Sequence, residues 1–226
     1  SAGVAACGLI MRVLSFVILS LLMQVSYAQS DWQLSKEDTQ RNIRVFTSSQ
    51  HDSSYHQFKA VTVVPQNPQT VLAVLSDISA WPQWLARIKQ VKVLKKDKNR
   101  SWVYVVYKLP YPFIERDMVV YNQVYTLKTG QLLIKTQALS DYPINNEADV
   151  KRVRLTNFNS TWQLTPLAKS GTKVELWGSG DPEGFVPALI FNYNLADEPL
   201  QSLRQLRKML LRDKYQKEHA RLLPKS

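Results

Sequence analysis

Side chains able to act as acids, bases or nucleophiles are few in this chain of 226 residues, and none falls into a working set. Of three histidines, His51 and His56 lie in a polar stretch, residues 48–56, and His219 lies in a polar tail. His51-Asp52 is a pairing that any polar loop can produce. Cys7 is the single cysteine and precedes Met11, so the body of the chain offers no thiol nucleophile, disulfide or cysteine-bound metal. No nucleophile is spaced with a base, and no metal-ligand spacing is present, so neither metal nor cofactor is expected. What remains is recognition by hydrogen bonding. Asn122 falls in an alternating apolar stretch and Asn192 in an apolar helix, and a polar group on an apolar face must find a partner. Arg116 and Asp117 are adjacent strand residues that face opposite sides, so both are expected to fix the start of their strand by bonding to backbone.

The elements that position these residues follow from periodicity. A long helix is expected over residues 186–217, with Asn192, Leu195, Pro199, Leu203, Leu206 and Leu210 on one face. Pro187 suits a first turn, whereas Pro199 removes a mid-helix bond and is expected to bend the rod there. The first half is apolar nearly all round, which requires burial on several sides or contact with something apolar outside the chain. The second half is amphipathic and basic. Ser35-x-x-Asp38 reads as a capping box opening a short helix through Arg41. Strands are expected at 42–47 and 58–64. Asn67-Pro68 begins a helix with Val71, Leu72, Leu75 and Ile78 on its buried face, and Pro82 starts a second short one. Trp81 and Trp84 read as packing residues. From Ile88 the pattern turns to sheet at 88–94, 102–108, 117–127, 131–139, 150–166 and 172–179, with turns at Lys128-Thr129-Gly130 and Lys169-Ser170-Gly171. The fold class is therefore α+β in one domain: a curved antiparallel sheet wrapped around a long C-terminal helix, with two short helices and a lipid-sized ligand between sheet and helix.

Three stretches carry a resemblance. The first runs from Asn67-Pro68 through Asp77 to Trp84-Leu85. The second is Leu109-Pro110-Tyr111-Pro112-Phe113-Ile114-Glu115-Arg116-Asp117-Met118-Val119. The third is Asp181-Pro182-Glu183-Gly184-Phe185-Val186-Pro187 with Asn192 behind it. Together, in this order, they resemble the START (steroidogenic acute regulatory protein-related lipid-transfer) family of the helix-grip fold, over residues 31–211. The resemblance implies a sheet gripping the C-terminal helix around a tunnel for one hydrophobic molecule. It also implies a lid made by that helix and a loop at 141–148 with Tyr142, Pro143 and Ile144 at its tip. Sterol-binding members of the family pair a second arginine, six residues beyond the Arg-Asp pair, with an acidic residue on a neighbouring strand. Asn122 and Val103 stand there instead, which implies a neutral, hydrogen-bonding tunnel.

If Asn122 faces inward, alternation places Met118 and Val120 beside it, and Val103, Val105 and Tyr107 on the preceding strand. Ile134, Trp177, Phe185, Phe191, Asn192 and Leu195 are the further expected walls. Residues 1–28 read as upstream residues and a signal peptide, with an apolar run from Val13 to Met23 and small residues before a cleavage point after Ala28. Residues 29–219 form the ligand-binding domain and 220–226 a basic tail. Without residues 1–28 the charge is 28 basic against 18 acidic residues, or +10. In an exported, periplasmic or secreted protein that balance favours an anionic membrane surface, touched by Arg204, Arg207, Lys208 and Arg212. No nucleic-acid-binding spacing accompanies the charge, and a monomer is expected. The functional expectation is a non-enzymatic lipid carrier. Its rivals are a cyclase- or hydrolase-type enzyme on the same architecture and a lipid sensor.

Overall fold

The computed structural model describes residues 31–144 and 151–216. The leader expected at 1–28, the lid positions 145–148 and the tail at 220–226 lie outside the described residues. The chain opens with β1 (Gln33–Asp38), β2 (Ile43–Gln50) and β3 (Ser53–Val64), then α1 (Pro68–Ser76) and α2 (Trp81–Trp84). Next come β4 (Ile88–Asp97), β5 (Arg100–Tyr107), β6 (Arg116–Thr126), β7 (Leu132–Ala138), β8 (Val153–Arg154), β9 (Phe158–Pro166) and β10 (Thr172–Gly180). Two helices close it, α3 (Ala188–Asn194) and α4 (Asp197–Met209). The strands form one sheet in the order β1-β2-β3-β10-β9-β7-β6-β5-β4, all neighbours antiparallel. β8 is the exception. It runs parallel to the start of β6, beside Arg116 and Asp117, in the lane that β7 leaves after Ala138. A curved antiparallel sheet closed by C-terminal helices is the helix-grip arrangement.

Local chemistry explains most of these elements. The Asn67 side chain accepts from the Thr70 N–H at 2.8 Å, and Pro68 takes the first position of α1, where its missing N–H costs nothing. Gly130 and Gly171 hold φ of 80° and 93° in the two expected turns. Residues 33–38 are a strand and not a helix. Asp38 does cap, but what it caps is only the 3-10 turn Thr39–Arg41, by accepting from the Arg41 N–H. The segment before it pairs with β2 instead.

The C-terminal helix breaks earlier than Pro199. α3 ends at Asn194 and α4 begins at Asp197, with Pro199 in its first turn. A proline ring clashes with the carbonyl four residues back, here that of Leu195, and cannot donate to it. The bend therefore falls at Leu195-Ala196. The helix also ends at Met209, followed by a turn, and does not continue unbroken to Lys217. α4 lies on β1, β2 and β3 and buries Leu203, Leu206 and Met209 against Ile43, Val45, Ala60 and Val174. Among the described residues no helix is long and apolar enough to cross a membrane.

The basic side chains of this region are largely used internally. Arg204 Nε donates to Asp38 at 2.7 Å, Arg207 Nη1 to the Val63 carbonyl at 2.6 Å, and Arg212 Nη1 to Gln83 Oε1 at 2.6 Å. Arg204 and Arg207 tie α4 to its neighbours and Arg212 ties the turn after it to α2, while Lys208 and Arg212 stay exposed. Beyond α4, Lys214 and Tyr215 both donate to Asp77, as does Ser79. Burial alone would raise the Asp77 carboxyl, but those three hydrogen bonds outweigh it and bring it down to about 2. A carboxylate lowered on folding stabilises above the unfolded value and loses that contribution as pH falls through the folded one. Asp77→Asn is expected to cost about 1–2 kcal/mol at pH 7. Urea titrations should show the deficit shrinking from pH 4 and vanishing near pH 2.

Candidate functional site

Between sheet and helices lies a cavity of about 340 Å³. It runs from a mouth at Leu109, Pro110, Phe113, Ile190 and Phe191 to the β4–β5 hairpin at Lys98, Asn99 and Arg100. Strand alternation builds its floor. Val105 and Tyr107 on β5, Met118, Val120 and Asn122 on β6, and Ile134 on β7 all line it, with Phe191 and Leu195 above. Val103 shares that face, but it is fully covered by the cluster of Ile78, Val105, Met118 and Val120 and does not reach the space.

Three other expected walls are elsewhere. On β10 the lining residues are Leu176, Ser179 and Gly180, and Trp177 projects from the opposite face to Leu176, beneath the Lys59 ammonium at 5.3 Å. One residue farther along, Gly178 has no side chain because the Phe58 ring fills that room: a Cβ there would meet it at 2.4 Å. Phe185 is 91% exposed. Asn192 points at the edge of β3, not into the cavity. Its Oδ1 accepts from the His56 N–H at 2.8 Å and its Nδ2 donates to the Ser54 carbonyl at 2.9 Å. One side-chain amide thus pairs with a strand as a backbone would. Tyr55 adds a hydroxyl bond to the Val186 carbonyl and an edge contact with Phe191, and together they hold α3 down. Tyr142 and Ile144 do not border the cavity.

Asn122 is satisfied inside the protein. It donates to Ser101 Oγ at 3.2 Å and accepts from Thr136 Oγ1 at 2.7 Å, all three residues bordering the cavity. Arg116 and Asp117 point to opposite sides. Arg116 borders the cavity and donates to the carbonyls of Ile114, Pro182 and Glu183 at 2.6–2.9 Å, a backbone role. Asp117 bonds side chains instead, accepting from Tyr104 at 2.9 Å and Arg154 at 2.7 Å.

The cavity is not neutral throughout. Arg87 Nε lies 2.8 Å from Glu198 Oε1, and Tyr107 bonds the same carboxylate. Burial raises the Glu198 carboxyl against the pull of Arg87, and burial also pushes the Tyr107 hydroxyl well up. Arg87 and Glu198 border both the cavity and a shallower outer cleft along α4, so the pair stands as a partition between them. Arg87 is held at φ 62°, a conformation costing a side-chain-bearing residue about 1–2 kcal/mol. Sequence reading missed this pair because its members are far apart in the chain. Trp81 and Trp84, read first as packing residues, pack in the core and also line the cavity, Trp84 meeting Trp162 edge-on at 5.9 Å. Among the described residues no His, Cys, Asp and Glu cluster could hold a metal.

A family model described as polyketide cyclase / dehydrase and lipid transport matches residues 55–210, which spans α1 to α4 and every cavity wall. The chain belongs to that family. An uncharacterized protein of Pseudomonas aeruginosa is 27% identical over 177 residues, 78% of this chain and 85% of that one. The crystal structure of a STAR-related lipid transfer protein from Xanthomonas axonopodis covers 81% of this chain and 100% of its own at TM-score 0.74, with 23% identity. Human StAR-related lipid transfer protein 5 covers 88% of this chain and 95% of its own at 0.71, with 13% identity. At these identities the structural likenesses establish the START-like fold. The description of this family spans both polyketide cyclase chemistry and lipid transport.

Proposed function

We propose that this protein holds one hydrophobic molecule in the cavity and carries it between membranes. The observation that carries this reading is the cavity itself: about 340 Å³ of open space walled mainly by Val, Ile, Leu, Met and aromatic side chains. Such a volume lies at the lower end of the roughly 300–1,000 Å³ typical of small-molecule sites. The mouth supplies the docking surface. Phe185, Leu189 and Tyr193 on and before α3, next to the lining residues Val186, Ile190 and Asn194, are 91%, 83% and 82% exposed, and Tyr111, next to the lining residue Pro110, is 96% exposed. Large apolar side chains gathered at a cavity mouth suit insertion into a lipid interface better than water. In this reading the patch adds an apolar contact to the expected basic one at Arg204, Arg207, Lys208 and Arg212. The leader at 1–28 would put the exchange outside the cytoplasm. Native mass spectrometry of protein incubated with liposomes tests the reading: bound lipid supports it, and an empty cavity after incubation counts against it.

α3 is the lid in this scheme, since Asn192 and Tyr55 fasten it to β3. Asn192→Ala removes two hydrogen bonds, each worth about 1 kcal/mol. It is expected to speed transfer of a fluorescent lipid between vesicles about tenfold, with the equilibrium loading unchanged. An unaltered rate would mean that α3 does not gate exchange.

One observation favours the enzyme reading, namely that Arg87, Glu198 and Tyr107 are ionisable groups at the cavity wall. They are bonded to one another and form no nucleophile-base set. A loaded lipid recovered chemically unchanged supports carriage, and a converted one supports an enzyme.

A further inference from the structure

The partition between cavity and outer cleft carries features that the apolar walls do not require. Arg87 and Glu198 form an ion pair that Tyr107 extends, with 22% and 28% of their side-chain surfaces open, and both residues border the cavity and the cleft. Trp84 borders the same two spaces, is 2% exposed, and its indole N–H has no hydrogen-bond partner among the described residues. A buried donor without an acceptor is uncommon in native proteins and points to something absent that supplies one. Packing alone would be served by apolar side chains here. We propose that Arg87, Glu198, Tyr107 and Trp84 form a headgroup site for an uncharged polar head that both donates and accepts hydrogen bonds, a hydroxyl or carboxamide on a single hydrocarbon chain.

The chemistry selects this class. The ion pair is neutral as a unit, so a charged head brought against it would face a like charge at close range with little water to screen it. A hydroxyl or amide instead donates to the Glu198 carboxylate and offers an oxygen to the Trp84 N–H, leaving no member unpaired. The hydrocarbon chain then follows the apolar floor over Val105, Met118 and Ile134.

This inference rests on the carriage reading, and one experiment separates the two. Delipidated full-length protein is incubated with phosphatidylcholine vesicles holding equal amounts of 1-monooleoylglycerol and oleate, and the loaded species are counted by native mass spectrometry. Wild type is expected to load monooleoylglycerol over oleate by about tenfold or more. Glu198→Gln leaves Arg87 as an unpaired cation and is expected to shift the ratio toward oleate by about tenfold. Trp84→Phe is expected to lower monooleoylglycerol loading without favouring oleate. If Glu198→Gln does not fold, Arg87→Met reads the same pair in the other sense, with oleate falling further. Equal loading of both lipids by wild type, or a ratio untouched by these variants, overturns the headgroup site while leaving carriage standing. Wild type that loads no lipid at all, phosphatidylcholine included, overturns carriage itself.

Discussion

Ile134→Trp is expected to abolish lipid loading while leaving the fold intact. Ile134 lines the cavity from β7, between Val124 on β6 and Trp162 on β9. A side chain enlarged in a dense interior costs about 1–3 kcal/mol through displaced neighbours. Here it enters open space of about 340 Å³, so that penalty is largely avoided and the indole gains contacts. Loading from liposomes should fall at least about tenfold, because the displaced chain loses roughly 0.8 kcal/mol for every CH₂ that no longer fits. The thermal midpoint should change by only a few degrees. Undiminished loading in a folded variant would place the ligand elsewhere.

Removing the Arg116 guanidinium is expected to cause the largest loss of stability of any single change near the mouth. The side chain is 2% exposed and reaches three carbonyls from two segments, Ile114 before β6 and Pro182 and Glu183 after β10. Its burial lowers the guanidinium, yet an arginine stays charged, so those oxygens accept from a cation. Arg116→Met keeps much of the volume and strands all three acceptors, at a cost of about 3–5 kcal/mol. Arg116→Lys restores a charge but not a planar fork, and should recover less than half. Urea unfolding measures both. A loss below about 1 kcal/mol would mean that water replaces the fork without penalty. The same variants should loosen the mouth, since both its flanking segments meet at this one side chain.

Legibility in the sequence followed strand parity and failed where parity is ambiguous. Val105, Tyr107, Met118 and Val120 were readable because β5 and β6 each carry a continuous inward row. On β10, Val174, Glu175 and Leu176 are all buried, so both faces look like core, and the eye goes to Trp177 for its size. Asn192 was singled out correctly as a polar group needing partners. That those partners are the backbone of β3 depends on how α3 docks, which no local pattern encodes. The break before Pro199 was legible as a bend and misplaced by a few residues, because the clash acts on the preceding turn. Arg87 and Glu198 gave no signal at all. Each is an ordinary charged residue in its own segment, and only the wrap of the sheet brings them together. The architecture itself was plain from element order and the three stretches around Asn67, Arg116 and Asp181.

Among the described residues the sheet leaves β4 as an outer strand, paired with β5 alone. An unpaired row of backbone groups invites a second chain to add on and nucleate a fibril. β4 displays Lys89, Lys92, Lys95 and Lys96 at exposed positions and is interrupted by two register shifts. Two such copies approaching edge to edge would bring cationic rows together across a kinked, ill-matched ladder. Part of this chain's surplus positive charge is therefore stationed where it keeps neighbouring copies apart, a safeguard of colloidal behaviour independent of any cargo.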